Sequence, residues 1–61
     1  MKEYRVVVDF CQGVSMKKLY EGRYLILEES EEKAKAWVTN FLRLQNFYNF
    51  KIVSVEEVQN D

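Results

Sequence analysis

Near its start the chain reads Tyr4-Arg5-Val6-Val7-Val8-Asp9-Phe10, and this stretch decides the fold. Apolar side chains recur at alternate positions, and the stretch is rich in β-branched and aromatic residues, which favour extended backbone. The pattern predicts a strand with one face formed by Tyr4, Val6, Val8 and Phe10. Because Val7 makes the other face apolar too, we place this strand in the centre of a sheet.

A second strand is predicted at residues 23–28, which read Arg23-Tyr24-Leu25-Ile26-Leu27-Glu28 and follow the turn signal Glu21-Gly22. Residues 12–22 separate the two strands and contain both glycines of the chain. This segment is compatible with an open loop or with a short extra strand across residues 14–20.

A helix is predicted to begin after Ser30, whose hydroxyl can cap a free backbone N–H group, with Glu31 and Glu32 in its first turn. The apolar residues that follow have the spacing of one helical face, namely Ala34, Trp37, Val38, Phe41 and Leu44, with Leu42 on the flank. We expect this stripe to face the sheet and Trp37 to anchor the core. The helix should end near Gln45, because Asn46 tolerates the left-handed conformation that terminates helices.

The third strand is predicted at residues 50–57, which read Phe50-Lys51-Ile52-Val53-Ser54-Val55-Glu56-Glu57. A right-handed crossover through the helix makes this strand parallel to the second one. With the first strand in the centre, the sheet order is 2-1-3 and one helix covers one face. The predicted fold is therefore α+β, a two-layer β-β-α-β sandwich forming a single domain over residues 1–61.

Composition excludes several classes of protein. An apolar content of 48%, two Gly and no Pro are typical of a folded domain rather than a disordered chain. The absence of His and the presence of one Cys exclude His-based metal sites, Ser-His-Asp and Cys-His catalysis and an internal disulfide. Gly-rich phosphate loops and calcium-binding loops are also missing from the sequence. We therefore predict a protein that is not an enzyme and has no cofactor and no metal.

Charge and hydropathy bear on location. The formal charge of -1 gives the whole molecule no electrostatic attraction to nucleic acid or to an anionic membrane. The longest apolar runs, residues 6–8 and 24–27, are far shorter than the ~20 residues of a membrane-spanning helix. The first residues lack the pattern of a secretion signal, and Cys11 is expected to be a reduced, half-buried apolar residue. Together these features predict a cytoplasmic protein.

One helix covers only one face of a three-stranded sheet, and both faces of these strands carry large apolar residues. We expect the uncovered face to bring copies of the chain together, most simply as a dimer. The residues predicted for this self-association are Val7, Tyr24, Ile26, Val53 and Val55. The alternative is a monomer in which the segment 12–22 covers that face.

The topology also collects charge at the two ends of the domain. One end is predicted to be acidic, through Glu28, Glu29, Glu31, Glu32, Glu56 and Glu57. Helix-terminus preference explains it, and a docking site for a basic partner is the alternative. The other end is predicted to be basic and aromatic, through Lys17, Lys18, Tyr20, Arg23, Arg43, Tyr48 and Lys51. Aromatic rings beside cations can hold nucleotides or single strands, although such rings more often belong to a core or an interface.

A hairpin followed by Glu29-Ser30-Glu31-Glu32-Lys33-Ala34, one amphipathic helix and the closing strand resembles the small β-β-α-β proteins of bacteriophages and mobile elements, including the DpnD/PcfM-like group. The resemblance covers residues 23–57, and residues 12–22 depart from the short hairpin usual in that group. It implies a non-catalytic protein that binds a host or defence protein, or sequesters a nucleotide signal, often as a homo-oligomer. Our leading hypothesis is a self-associating phage-type inhibitor in the host cytoplasm. The alternative is a binder of nucleotides or short single-stranded nucleic acid at the basic and aromatic end.

Overall fold

The computed structural model describes residues 1–59. It contains β1 (Lys2–Gln12), β2 (Lys17–Glu28), α1 (Glu31–Leu44) and β3 (Phe50–Glu57). The strands form one sheet of order β2-β1-β3, in which both neighbours run antiparallel to β1. The helix lies on one face of the sheet and contacts all three strands. The predicted α+β fold, strand order and single helix are confirmed.

The hairpin between β1 and β2 is short and tight. It occupies residues 13–16, where the Met16 N–H donates to the Gln12 carbonyl at 3.0 Å. Gly13 (φ +36°) and Met16 (φ 52°) both have positive φ, which Gly13 adopts without a steric penalty. Residues 12–22 are thus neither an open loop nor a separate strand. Residues 17–22 extend β2 toward the hairpin. Their own strand propensity does not predict a strand, and they form one because β1 supplies hydrogen-bond partners for their backbone.

Both helix ends are closed by the predicted residues. The Ser30 hydroxyl accepts a hydrogen bond from the Lys33 backbone N–H at 3.3 Å. At the other end Asn46 has φ 66° and its N–H donates to the Arg43 carbonyl at 3.0 Å, while the Phe47 N–H donates to the Leu42 carbonyl at 2.9 Å. This pair of bonds is a Schellman motif. It directs Phe47 back toward the sheet, where its ring meets that of Phe10 at a centroid distance of 5.3 Å.

The core lies between α1 and the face of β1 that the alternation predicted. Its buried residues are Tyr4, Val6, Val8, Phe10, Ile26, Ala34, Val38 and Leu42. Two expectations about the helix were wrong. Trp37 is 44% exposed and Leu44 is 80% exposed, whereas Leu42 is 1% exposed. The seven apolar residues of α1 span more of its circumference than the sheet can cover. The helix therefore buries the row Ala34, Val38 and Leu42, half-buries Phe41 and leaves Trp37 and Leu44 exposed.

Candidate interaction surfaces

A row of large apolar side chains runs along the flank of α1 that faces β2. Trp37 and Phe41 stack with ring centroids 5.2 Å apart and planes inclined by 13°. Phe41 also meets Tyr24 of β2 edge-on at 6.3 Å, which fixes the row above the outer strand. Leu44 continues it one turn further and borders the same shallow depression as Trp37 and Phe41. We call Trp37, Phe41 and Leu44 the apolar ridge.

The ridge results from the rotation of the helix. Positions 37, 41 and 44 share one flank, and that flank is displaced toward β2 from the row that contacts the sheet. Sequence periodicity places these residues in the core because it includes them in the same stripe as Ala34 and Val38. The missed signal is the excess of apolar residues, since Leu42 and Leu44 cannot both face one sheet.

Beside the ridge lies the free edge of β2. In the described residues β2 pairs only with β1, so the backbone groups along its other side have no strand partner. Near the middle of the strand Gly22 is covered by aromatic rings. A Cβ atom at that position would lie 2.7 Å from a ring carbon of Phe10 and 3.2 Å from one of Tyr24. Glycine is therefore needed there for ring packing, and its φ is not positive.

The sheet face away from the helix is less apolar than the sequence predicted. Of the five residues assigned to it, Tyr24, Ile26 and Val55 instead pack on the helix side of the sheet. The reason is register, since Val6 of β1 is opposite both Tyr24 and Val55, and residues opposite each other share a face. Their placement on the uncovered face was wrong.

The uncovered face instead combines three apolar residues with many charges. Val7 lies in its centre, and Leu25 and Leu27 lie on β2, 63% and 64% exposed. Val53 sits at the irregularity where the β1–β3 register shifts, and it remains exposed. The other residues at alternating positions of this face are Glu3, Arg5, Asp9, Glu21, Arg23, Lys51, Ser54 and Glu56. The expectation of a largely apolar open face thus fails, because charged residues are interspersed among its apolar ones.

At the end of the sheet where β1 terminates, the structure brings aromatic rings together. Phe10 stacks on Tyr20 with centroids 4.7 Å apart and meets Phe47 edge-on. These three rings line a cleft of about 190 Å³. Tyr48, which is 68% exposed, borders this cleft. Three of the predicted cations come from different elements. Lys17 begins β2, Arg43 lies in the last turn of α1, and Lys51 lies at the start of β3.

Two of the predicted cations at this end are engaged by carboxylates. Lys18 Nζ lies 3.2 Å from Asp9 Oδ1 and 3.5 Å from Glu21 Oε1, and the Asp9 carboxylate beside it raises the pKa of Lys18. Arg23 Nε lies 3.0 Å from Glu21 Oε2, and this hydrogen bond lowers the pKa of Glu21. Arg23 also pairs opposite Val7, away from the end of the sheet. The positive charge of Lys18 and Arg23 is thus largely offset for any anionic ligand.

The acidic end forms at the opposite end of the sheet. Lys2 is opposite Glu28 and Tyr4 is opposite Glu57, which brings the ends of β2 and β3 to the same side as the start of α1. Glu31 and Glu32 occupy the first helical turn. Two lysines form ion pairs with glutamates of this end and neutralise part of the charge. Lys2 Nζ lies 3.2 Å from Glu57, and the hydrogen bond with Glu57 raises the pKa of Lys2. Lys33 Nζ lies 2.7 Å from Glu29. Glu56 stands opposite Arg5 on the uncovered face.

Residues 1–59 hold no group of three or more carboxylate or thiol side chains placed to bind a metal ion. Cys11 is buried, and its thiol donates to the Asp9 carbonyl at 3.6 Å. The helix found in residues 1–59, α1, is too short and too polar to cross a membrane.

No protein-family model matches the chain. No curated protein matches it either. No solved structure matches it. The resemblance to small β-β-α-β proteins of bacteriophages thus stays a prediction.

Proposed function

We propose that this chain is a non-catalytic interaction protein that associates with itself and, as a phage-type protein in the host cytoplasm, inhibits a host or defence protein. The observation that carries the proposal is the apolar ridge. Trp37 and Phe41 are aromatic residues of the kind enriched at the centre of protein interfaces, and Leu44 adds apolar surface on the same flank of the helix.

Energetics support the same proposal. A domain of 61 residues has one small core, which supplies only about 3 to 5 kcal/mol of stability. Leaving Trp37 and Leu44 in water forgoes part of the apolar burial available to so short a chain. A partner that covers the ridge would recover it.

The test compares binding by the unaltered chain with binding by a double variant, Trp37→Ser with Leu44→Ser. The matched control is Lys35→Ser, an exposed position of α1 on the side toward β3. Tagged proteins are used to capture partners from cells of the host at low and at high salt. We expect a protein whose capture survives high salt, is lost with the ridge variant and is retained with the control, since apolar contacts are insensitive to screening.

Binding of nucleotides or short single strands is the second candidate, and the exposed Tyr48 beside the cleft at Phe10 and Tyr20 favours it. It makes the opposite prediction about salt. Binding of a labelled oligonucleotide or nucleotide would weaken steeply with added salt and with Arg43→Glu or Lys51→Glu. Such a result, together with no protein captured through the ridge, would contradict the leading proposal.

A further inference from the structure

We propose that the first partner of this surface is a second copy of the chain, joined edge to edge through β2 in an antiparallel pair centred on Gly22. This deepens the proposed function and rests on it, because it assigns a partner to the strand edge beside the apolar ridge. The pair would convert two three-stranded sheets into one sheet of six strands, with both helices on the same face.

The two free edges of the sheet differ in the length of their regular pairing. The β3 strand has eight residues, and its register with β1 shifts at Val53. The β2 strand has twelve residues; its register shifts at Leu19, but it is regular from Tyr20 to Glu28. The longer regular stretch of β2 is therefore the better site for a second strand.

Charge determines the register of the pair. Glu21 and Arg23 flank Gly22 and project to the uncovered face, where they already form an ion pair of 3.0 Å within one chain. When Gly22 of one copy is opposite Gly22 of the other, each Glu21 is opposite an Arg23 of the second copy. The four side chains then alternate in sign around the symmetry axis, so each ion pair within a chain is joined by an ion pair between chains.

Neighbouring registers lose this complementarity. An axis at Glu21 places two carboxylates opposite each other, and an axis at Arg23 places two guanidinium groups opposite each other. An axis at Tyr24 places Glu21 opposite Leu27 and Arg23 opposite Leu25, so neither charge gains a partner. The Gly22 register leaves Lys17 and Lys18 opposite apolar residues, but it is the register that pairs Glu21 with Arg23. Like charges directly opposite each other destabilise a strand pair, and opposite charges stabilise it.

The Gly22 register also pairs aromatic residues on the helix face. Tyr24 of one copy is opposite Tyr20 of the other. Within each chain Tyr24 meets Phe41 edge-on and Tyr20 stacks on Phe10, so the pair between copies joins two groups of rings. Aromatic residues opposite each other stabilise antiparallel strands.

The first experiment measures solution mass over a range of protein concentration by sedimentation equilibrium. We expect the unaltered chain to be a dimer at micromolar concentration. Arg23→Glu places four carboxylates around the axis and should weaken dimerisation about tenfold or more. The side chain of Arg23 is 73% exposed, so the variant should keep the fold, which circular dichroism checks. The control is Lys35→Glu, which makes the same change of charge on the flank of α1 that faces β3. It should leave the dimer unchanged.

The second experiment tests register by oxidative cross-linking of Glu21→Cys mixed with Arg23→Cys. Residues 21 and 23 of different copies would be opposite each other, whereas residues 21 and 21 would be about 8 Å apart, too far for a disulfide. The mixture should therefore give a covalent dimer with one copy of each variant, and each variant alone should not. The buried Cys11 is present in every sample and serves as an internal control.

Three results would overturn the inference: a monomer at every concentration, a dimer unaffected by Arg23→Glu, or no more cross-linking in the mixture than in each variant alone. These outcomes can be told apart from failure of the proposed function. A dimer that is unaffected by Arg23→Glu would refute the β2 pair and leave self-association standing, whereas a monomer that captures a host protein through the ridge would refute self-association and leave binding to the host protein standing. An Arg23→Glu monomer that retains such capture would show that the two contacts are separate.

Discussion

Leu42 and Leu44 occupy the same helix two positions apart, and the structure assigns them opposite roles in stability. Leu42 is 1% exposed in the core, and Leu44 is 80% exposed at the end of the apolar ridge. Truncation of a buried leucine to alanine costs about 2 to 5 kcal/mol, because the site loses its transfer free energy and retains a cavity. Truncation at an exposed helical position changes the free energy of unfolding by less than about 0.5 kcal/mol.

We therefore expect Leu42→Ala to remove most or all of a stability of about 3 to 5 kcal/mol, and Leu44→Ala to have almost no effect on folding. In a domain of this size each kcal/mol shifts the melting temperature by about 4–8 °C. Leu42→Ala should accordingly melt at least about 10 °C below the unaltered chain or be unfolded at room temperature. Thermal and urea unfolding followed by circular dichroism measure both variants.

The comparison is matched in residue type, substitution and helix, so differences in helix propensity cancel. It is carried out at several low protein concentrations, because a contact between copies through Leu44 would make the melting temperature depend on concentration. Equal destabilisation by the two variants, independent of concentration, would refute the orientation of the helix. A larger loss with Leu44→Ala would restore the apolar stripe expected from sequence periodicity.

Three further predictions follow from local geometry. Gly22→Ala should lower the free energy of unfolding by about 1–3 kcal/mol, because its Cβ would lie 2.7 Å from the buried Phe10 ring; a variant as stable as the parent in urea would contradict that packing. Ser30→Ala should cost about 1 kcal/mol through loss of the helix cap, measured by thermal unfolding, and an unchanged melting temperature would show that the hydroxyl is not needed. The pKa of Glu21 is lowered by Arg23, so its contribution to stability is present above its ordinary value of 4.5 and is lost as the pH falls through the lowered value. Melting temperatures measured across acidic pH should show this loss in the unaltered chain and a smaller one in Glu21→Gln, and identical profiles would exclude the ion pair as a source of stability.

The local sequence was enough to predict the elements and their order. Alternation at Tyr4 to Phe10 identified the central strand, and the residues after Ser30 and around Asn46 determined where the helix begins and ends. These features are local, since a cap or an alternating strand depends on residues within one or two turns of each other. The short hairpin was missed because Lys17 to Gly22 becomes strand only through pairing with β1.

The tertiary structure alone decided which faces are covered. Both faces of β2 are apolar, with Tyr24 and Ile26 on one face and Leu25 and Leu27 on the other. Periodicity therefore cannot decide which of the two faces is buried. Pairing of Tyr24 with Val6 resolved the choice, and the same pairing placed the ring of Tyr24 under Phe41. In the helix the contact area of a three-stranded sheet admitted one row of side chains and excluded Trp37 and Leu44. Periodicity says which residues share a face, but only the match between two surfaces determines which face is buried.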